Sequence, residues 1–223
     1  MHIIRPTLKA LAAAVALISL GSAHAAIVIT EVAPWASGNS PYAKDWFELT
    51  NTGSSAVNIS GWKFDDSSNS FASAAALTGI TSIAAGESVI FTEGSAAASF
   101  LSTWFGAAGK PGLQVGYYSG SGLGLSTDGD AVNIFNAAGV KQTGVSFGVS
   151  DSSSPYQTFD NAAGLATVTQ LSVVGTNGAF VAINDVAEIG SPGSIAAVPE
   201  ASTYAMLLAG LGMIGVMSRR RTA

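Results

Sequence analysis

From residue 27 to residue 183 the chain alternates short apolar, β-branched and aromatic runs with clusters of Gly, Asn, Asp and Ser. Period-two alternation bounded by turn residues predicts strands. Ile27–Val32 is the first and Asp45–Thr50 the second, closed by Asn51-Thr52-Gly53. Val57–Ile59 and Trp62–Phe64 flank a turn at Ser60-Gly61. Ser88–Thr92 follows Ala85-Gly86-Glu87, and Ala131–Phe135 runs from the turn Asp128-Gly129-Asp130 into Asn136–Gly139. Gly144–Val149 alternates cleanly, and Phe180–Ile183 is predicted as the last strand. One interval has another period: Phe100, Leu101, Trp104 and Phe105 recur at helical spacing, with Ser95 placed as N-cap and Gly106 as stop. It predicts a short helix over 95–105 that caps one end or edge of the core, with an aromatic binding surface as the alternative. Many short strands with Gly-rich turns predict an all-β fold, a β-sandwich with one short helix. The Ser/Ala/Gly-rich connections 66–82 and 106–122 are long, 151–176 resists placement, and all three are candidate binding loops.

Within the second strand Phe47 and Leu49 share one face, Trp46 and Glu48 the other. Trp62 and Phe64 also share a face. These aromatics are expected in the sandwich core, with an exposed row for sugar stacking as the alternative.

Both ends of the chain follow different rules. Arg5 and Lys9 precede an apolar run, Leu11–Leu20, and the small-x-small site Ala23-His24-Ala25. This is the pattern of a secretory signal peptide over residues 1–25, cut by signal peptidase between Ala25 and Ala26, with a retained signal anchor as the alternative. At the other end Val198-Pro199-Glu200-Ala201-Ser202 precedes an apolar run from Tyr204 to Met217 and then Arg219-Arg220-Arg221. Arginines directly after an apolar run stop translocation and keep that end cytoplasmic. A perpendicular span needs about 20 apolar residues. A helix over about 203–217 is short even with arginine snorkelling, which suits a transient inner-membrane anchor. Gly210, Gly212 and Gly215 leave a small-residue face for close helix contact. The chain therefore divides into a signal peptide (1–25), one domain (26–195) and a C-terminal segment (196–223).

Composition narrows the chemistry of the middle. Both histidines, His2 and His24, fall in the signal peptide, and the chain has no cysteine. Imidazole and thiol catalysis, typical zinc sites and disulfides are thereby excluded from the domain. Only Lys44, Lys63, Lys110 and Lys141 lie between the two targeting segments, against thirteen acids, a net charge of −9 compared with −5 for the whole chain. Such a surface disfavours nucleic acid as a partner.

The C-terminal segment resembles the PEP-CTERM sorting signal of Gram-negative bacteria. That resemblance implies recognition and cleavage by an exosortase, a membrane-embedded cysteine protease, with Val198, Pro199 and Glu200 as the processing residues. The sequence departs from the family at Ala201, where a second proline is usual. The domain resembles a second family, the lamin-tail domain, an immunoglobulin-like sandwich. The resemblance rests on Ile29–Val32, Asp45–Gly53, Ile59–Trp62, the short helix, Leu123–Val132 and the closing Gly190-Ser191-Pro192-Gly193.

Three constellations carry potential chemistry. Glu31, Asp45 and Glu48 converge if the first two strands pair, and two carboxylates can perform acid/base work on glycosides. In the lamin-tail resemblance they are structural. Asp128 and Asp130 flank Gly129 and are candidate calcium ligands, although the further oxygen ligands of a full loop are missing; turn formation is the simpler role. Asp65-Asp66 and Asp151 are similar loop candidates. The abundant loop serines and threonines are read as solvated, with O-linked glycans as the alternative. The PEP-CTERM resemblance implies an exported protein, sorted to the cell surface or extracellular matrix in a biofilm or exopolysaccharide setting; there the lamin-tail-like sandwich is expected to have a structural or adhesive role, without a cofactor. A glycan- or polymer-binding module is the alternative, and a carboxylate-dependent hydrolase a third reading.

Overall fold

The computed structural model describes residues 27–120, 122–151 and 153–194. The signal-peptide residues with Ala25 and Ala26, the motif Val198–Ser202, the helix expected near 203–217 and Arg219, Arg220 and Arg221 lie outside the described residues. In chain order the elements are β1 (Ile27–Ala33), α1 (Ala36–Asn39), β2 (Trp46–Asn51), β3 (Val57–Asn58), β4 (Lys63–Asp65), β5 (Ala75–Ala76), β6 (Ser82–Ile83) and β7 (Ser88–Glu93). There follow α2 (Ala97–Phe105), β8 (Gln114–Tyr118), β9 (Asp130–Phe135), β10 (Lys141–Phe147), β11 (Tyr156–Gln157), β12 (Phe159–Asp160), β13 (Thr167–Val168), β14 (Phe180–Val181) and β15 (Glu188–Gly190).

Two five-stranded sheets, β12-β1-β2-β7-β8 and β13-β10-β9-β4-β5, form the sandwich. Between them lies a core built from alternate residues: Ile29 and Val32, Phe47 and Leu49, Val89 and Phe91 from the first sheet, Phe64, Val132, Ile134 and Val145 from the second. Trp62 joins this core with Phe64, as their shared face predicts. Phe64 and Tyr118 have ring centroids 4.4 Å apart, close enough for the quadrupole-favoured tilted packing of aromatic pairs.

The first sheet is covered on both faces. All six residues of β2 are buried. Trp46 does not enter the sandwich core as expected; it points outward into a second core with Trp35, Ile90, Phe100 and Trp104. The connection from β7 to β8 explains that layer. These strands are parallel, so the chain must cross over a sheet face to return to the same end. The crossover carries α2, whose Phe100 and Trp104 meet Trp46 edge-on at 5.3 and 5.8 Å between centroids. The helix therefore lies across the outer face of the sheet, not at its end or edge. It starts after Ala96 with no side-chain cap, so Ser95 does not have the predicted role. Gly106, at φ 68°, ends it as expected.

The strand expected last is followed by β15, which pairs with β14 and with β11 in a small three-stranded sheet beside α2. The three candidate-loop stretches hold the strands β5, β8, β11, β12 and β13. Among the described residues no helix is long and apolar enough to cross a membrane.

Candidate functional site

The outward face of β1 and β2 carries a polar patch inside an otherwise apolar layer. Glu31 stands directly opposite Glu48 in the β1–β2 ladder, after a bulge between Ile29 and Glu31 that displaces Thr30. Both glutamates are buried, at 0% and 1% exposure. Thr30 Oγ1 donates to Glu48 Oε1 at 2.6 Å and shares a hydrogen bond with Thr50, which shares another with Ser88. Thr158 Oγ1 donates to Glu31 Oε1 at 2.5 Å and pairs with Ser172 at 2.7 Å.

The remaining partners come from one turn. Ser191, Pro192, Gly193 and Ser194 form a reverse turn, closed by Ser194 N donating to Ser191 O at 2.8 Å, with Gly193 at φ 68°. Proline second and glycine third match a type II turn, whose third residue needs positive φ. Its outward amides meet the acids: Ser191 N donates to Glu31 Oε1 at 2.6 Å and Gly193 N to Glu48 Oε2 at 2.5 Å. On the other side Lys110 Nζ donates to the carbonyls of Gly193 at 2.6 Å and Pro192 at 3.2 Å. Two buried carboxylates and one lysine thus grip the last described segment of the chain. Gly190 makes the close approach possible, since a β-carbon there would stand 2.6 Å from Glu31 Oε1 and 2.9 Å from Trp104.

Electrostatics follow from this burial. Removal from water pushes both glutamates well above the usual carboxylate range, and mutual repulsion raises Glu31 further. The bonds from Thr30, Gly193 and Ser88 and the charge of Lys110 partly offset the rise at Glu48. Glu31 Oε2 has no hydrogen-bond partner among the described residues, which is where a retained proton would sit.

Asp45 does not join the pair. It lies beyond Trp46, accepts from Ser37 N at 2.7 Å, and is pushed up to about 7 by burial. A carboxylate that sequence reasoning missed, Glu188, occupies the second core. Tyr42 Oη donates to Glu188 Oε2 at 3.0 Å while accepting the indole N–H of Trp46 at 2.9 Å and of Trp104 at 3.2 Å. Burial raises Glu188 to about 8. Asp130 accepts the backbone N–H groups of Ser67, Ser126 and Ala131. Asp128 is exposed on the turn through Gly129, which has φ 107°. No group of three or more His, Cys, Asp or Glu that could hold a metal occurs among the described residues.

A cavity of about 170 Å³ opens between β12 and β13, lined by Asp160, Asn161, Leu165, Gln170 and Asn177 among others. Its central polar groups are engaged internally. Asp160 accepts from Ala162 N and from Asn177 Nδ2 at 2.7 Å, and Asn161 Nδ2 donates to Ile29 O at 2.7 Å, clasping the β1 bulge.

The family model described as Lamin Tail Domain matches residues 21–148, more than half of the chain. The chain belongs to the lamin tail domain family. A second model, the PEP-CTERM protein-sorting motif, matches residues 197–221. No curated protein matches the chain. The lamin-tail match spans β1 to β10 and both glutamates, and neither matched family is a family of enzymes. It ends before Gly190–Gly193, so the turn that covers the glutamates stands on its geometry alone. The sorting match begins three residues after Ser194, the last residue of that turn. This lamin-tail protein is therefore exported, anchored transiently in the membrane and processed by an exosortase.

Proposed function

We propose that the protein is a non-enzymatic surface or extracellular-matrix component with a structural or adhesive role in biofilm or exopolysaccharide. In this reading signal peptidase removes residues 1–25 after Ala25, the 26–195 domain is exported, and the 196–223 segment holds it in the inner membrane until cleavage near Pro199-Glu200. The sorting match at residues 197–221 carries the reading. The burial of Glu31 and Glu48 beneath the 191–194 turn supports a structural role for those acids, since a polymer substrate has no path to them. No cofactor is proposed. Intact-mass analysis of the exported protein tests the processing: the C-terminus should lie near Pro199-Glu200. A mass that includes Arg221-Thr222-Ala223 would overturn the reading, and retention of the exported protein on purified exopolysaccharide would favour a polymer-binding module.

A further inference from the structure

The 191–194 turn fixes where the chain leaves the domain. Ser194 packs on Gly178 so closely that a β-carbon at Gly178 would stand 2.7 Å from that of Ser194. Gly178 belongs to a loop closed by Thr176 N donating to Val173 O and Gly175 N to Ala179 O. That loop presents Val173 and Val174, each 54% exposed, and its Asn177 shares the wall of one cavity with Leu165, which is 56% exposed. Val173 and Val174 thus stand on the loop that Ser194 packs against, and Leu165 on the cavity that this loop's Asn177 also lines.

The surroundings are unusual for so acidic a domain. Residues 161–184 contain no Asp, Glu, Lys or Arg at all. The polar residues there are Thr, Asn, Gln and Ser, and the carboxylate on the cavity wall, Asp160, is buried and held by Asn177, so this segment exposes no negative charge of its own to be repelled by anionic headgroups.

The tether is short. Residues 195–203 separate Ser194 from the apolar run, and fully extended they reach about 30 Å. A domain of this length is about 40 Å across, so the tether is shorter than the domain it holds. The grip of Glu31, Glu48 and Lys110 on the turn prevents the tether from lengthening by peeling. A short tether keeps the exit side at a high effective concentration near the bilayer, about millimolar or above.

We propose that in the anchored precursor Leu165, Val173 and Val174 rest in the lipid interface, so that the domain is held against the membrane in one orientation until cleavage. The proposal depends on the reading of residues 203–217 as a membrane anchor. The cysteine-free chain makes a direct test simple. Single substitutions Leu165→Cys, Val174→Cys and, as a control, Val140→Cys on the β9–β10 turn place one environment-sensitive fluorophore each. All three sites are already more than half exposed, so folding is undisturbed.

The full-length chain is reconstituted in phosphatidylethanolamine–phosphatidylglycerol vesicles containing spin-labelled lipid. Labels at 165 and 174 should shift to the blue and be quenched several-fold more than the label at 140, independently of the protein-to-lipid ratio. Equal quenching at all three sites in vesicle-bound protein overturns the proposal while leaving the anchor reading intact. A shift that grows with protein density assigns the patch to a second copy of the chain and overturns it as well. Failure of the chain to float with the vesicles removes the anchor and the proposal together.

Discussion

Glu31 and Glu48 decide how stability depends on pH. Carboxylates in the unfolded chain titrate near 4.5 for Glu and 3.8 for Asp. In the folded domain burial raises both members of the pair, and it raises Asp45 to about 7 and Glu188 to about 8. Between these limits the folded state binds more protons than the unfolded one, so stability falls as pH rises. The contribution is complete below about pH 4 and is lost progressively up to about pH 8, at about 1.4 kcal/mol per pH unit for each excess proton. Thermal melts should therefore give the highest melting temperature on the acidic side and a steady decline toward pH 8. Glu31→Gln removes one charge of the facing pair while keeping an acceptor for Ser191 and Thr158. It should flatten that decline and melt above the wild type at pH 8, by about 2–4 °C for each kcal/mol recovered. A variant with the wild-type slope would show that the pair does not govern the pH dependence. The sequence made Glu31 and Glu48 legible as a pair because adjacent strands with opposite runs bring such residues together. Glu188 was not legible, because its partner Tyr42 lies 146 residues away.

At the scale of elements, strands with a regular period or a flanking turn signal were readable, β3, β4 and β14 among the short ones, and the remaining short ones were not. β1, β2, β7 and β9 each run six or seven residues with one or both faces apolar, and each lies within a residue or two of its predicted position. β5, β11, β12 and β13 are two residues long and show no period at all. β8 escaped for another reason. Its Gly116 interrupts the alternation, yet a side chain there would collide with Thr78 O at 2.5 Å and with the Phe91 ring at 2.8 Å. The helix was legible from its aromatic spacing, but its place was not, because that place follows from the parallel pairing of β7 and β8. The 191–194 turn could have been read from Pro192-Gly193, whereas its grip by Lys110 could not. Lys110→Met keeps the aliphatic stem and removes both bonds to the turn carbonyls. Hydrogen bonds from charged groups contribute about 1.5–3 kcal/mol when buried, and this half-buried one about 1 kcal/mol. Amide exchange at Ser191, Gly193 and Ser194 should then quicken by about fivefold while that of β2 stays unchanged. Unaltered exchange at the turn would mean that the glutamates hold it alone.

The whole molecule is a cargo with an address, and each is written in a different physical language. The cargo is specified by alternation and burial, and its function is silent because family membership names a fold rather than a ligand. The address is specified by an apolar run, a basic stop and a short motif, so it is legible without any tertiary structure. Its one departure, Ala201, supplies a test. A proline at 201 would fix its own φ and bias Glu200 toward an extended backbone. Alanine, the best helix former, imposes no such restriction and leaves the helical region of the backbone open to Glu200. Proteases act on extended, accessible segments, and a motif that keeps Pro199-Glu200 extended presents more of the cleavable form. Ala201→Pro should therefore raise the processed fraction. Pulse-labelled cells that co-express the exosortase would give it as the ratio of trimmed to full-length chain over time. The effect should be confined to rate, with the same mature C-terminus in both proteins. A rate that stays level or falls would show that residue 201 does not act through an extended backbone at Pro199-Glu200.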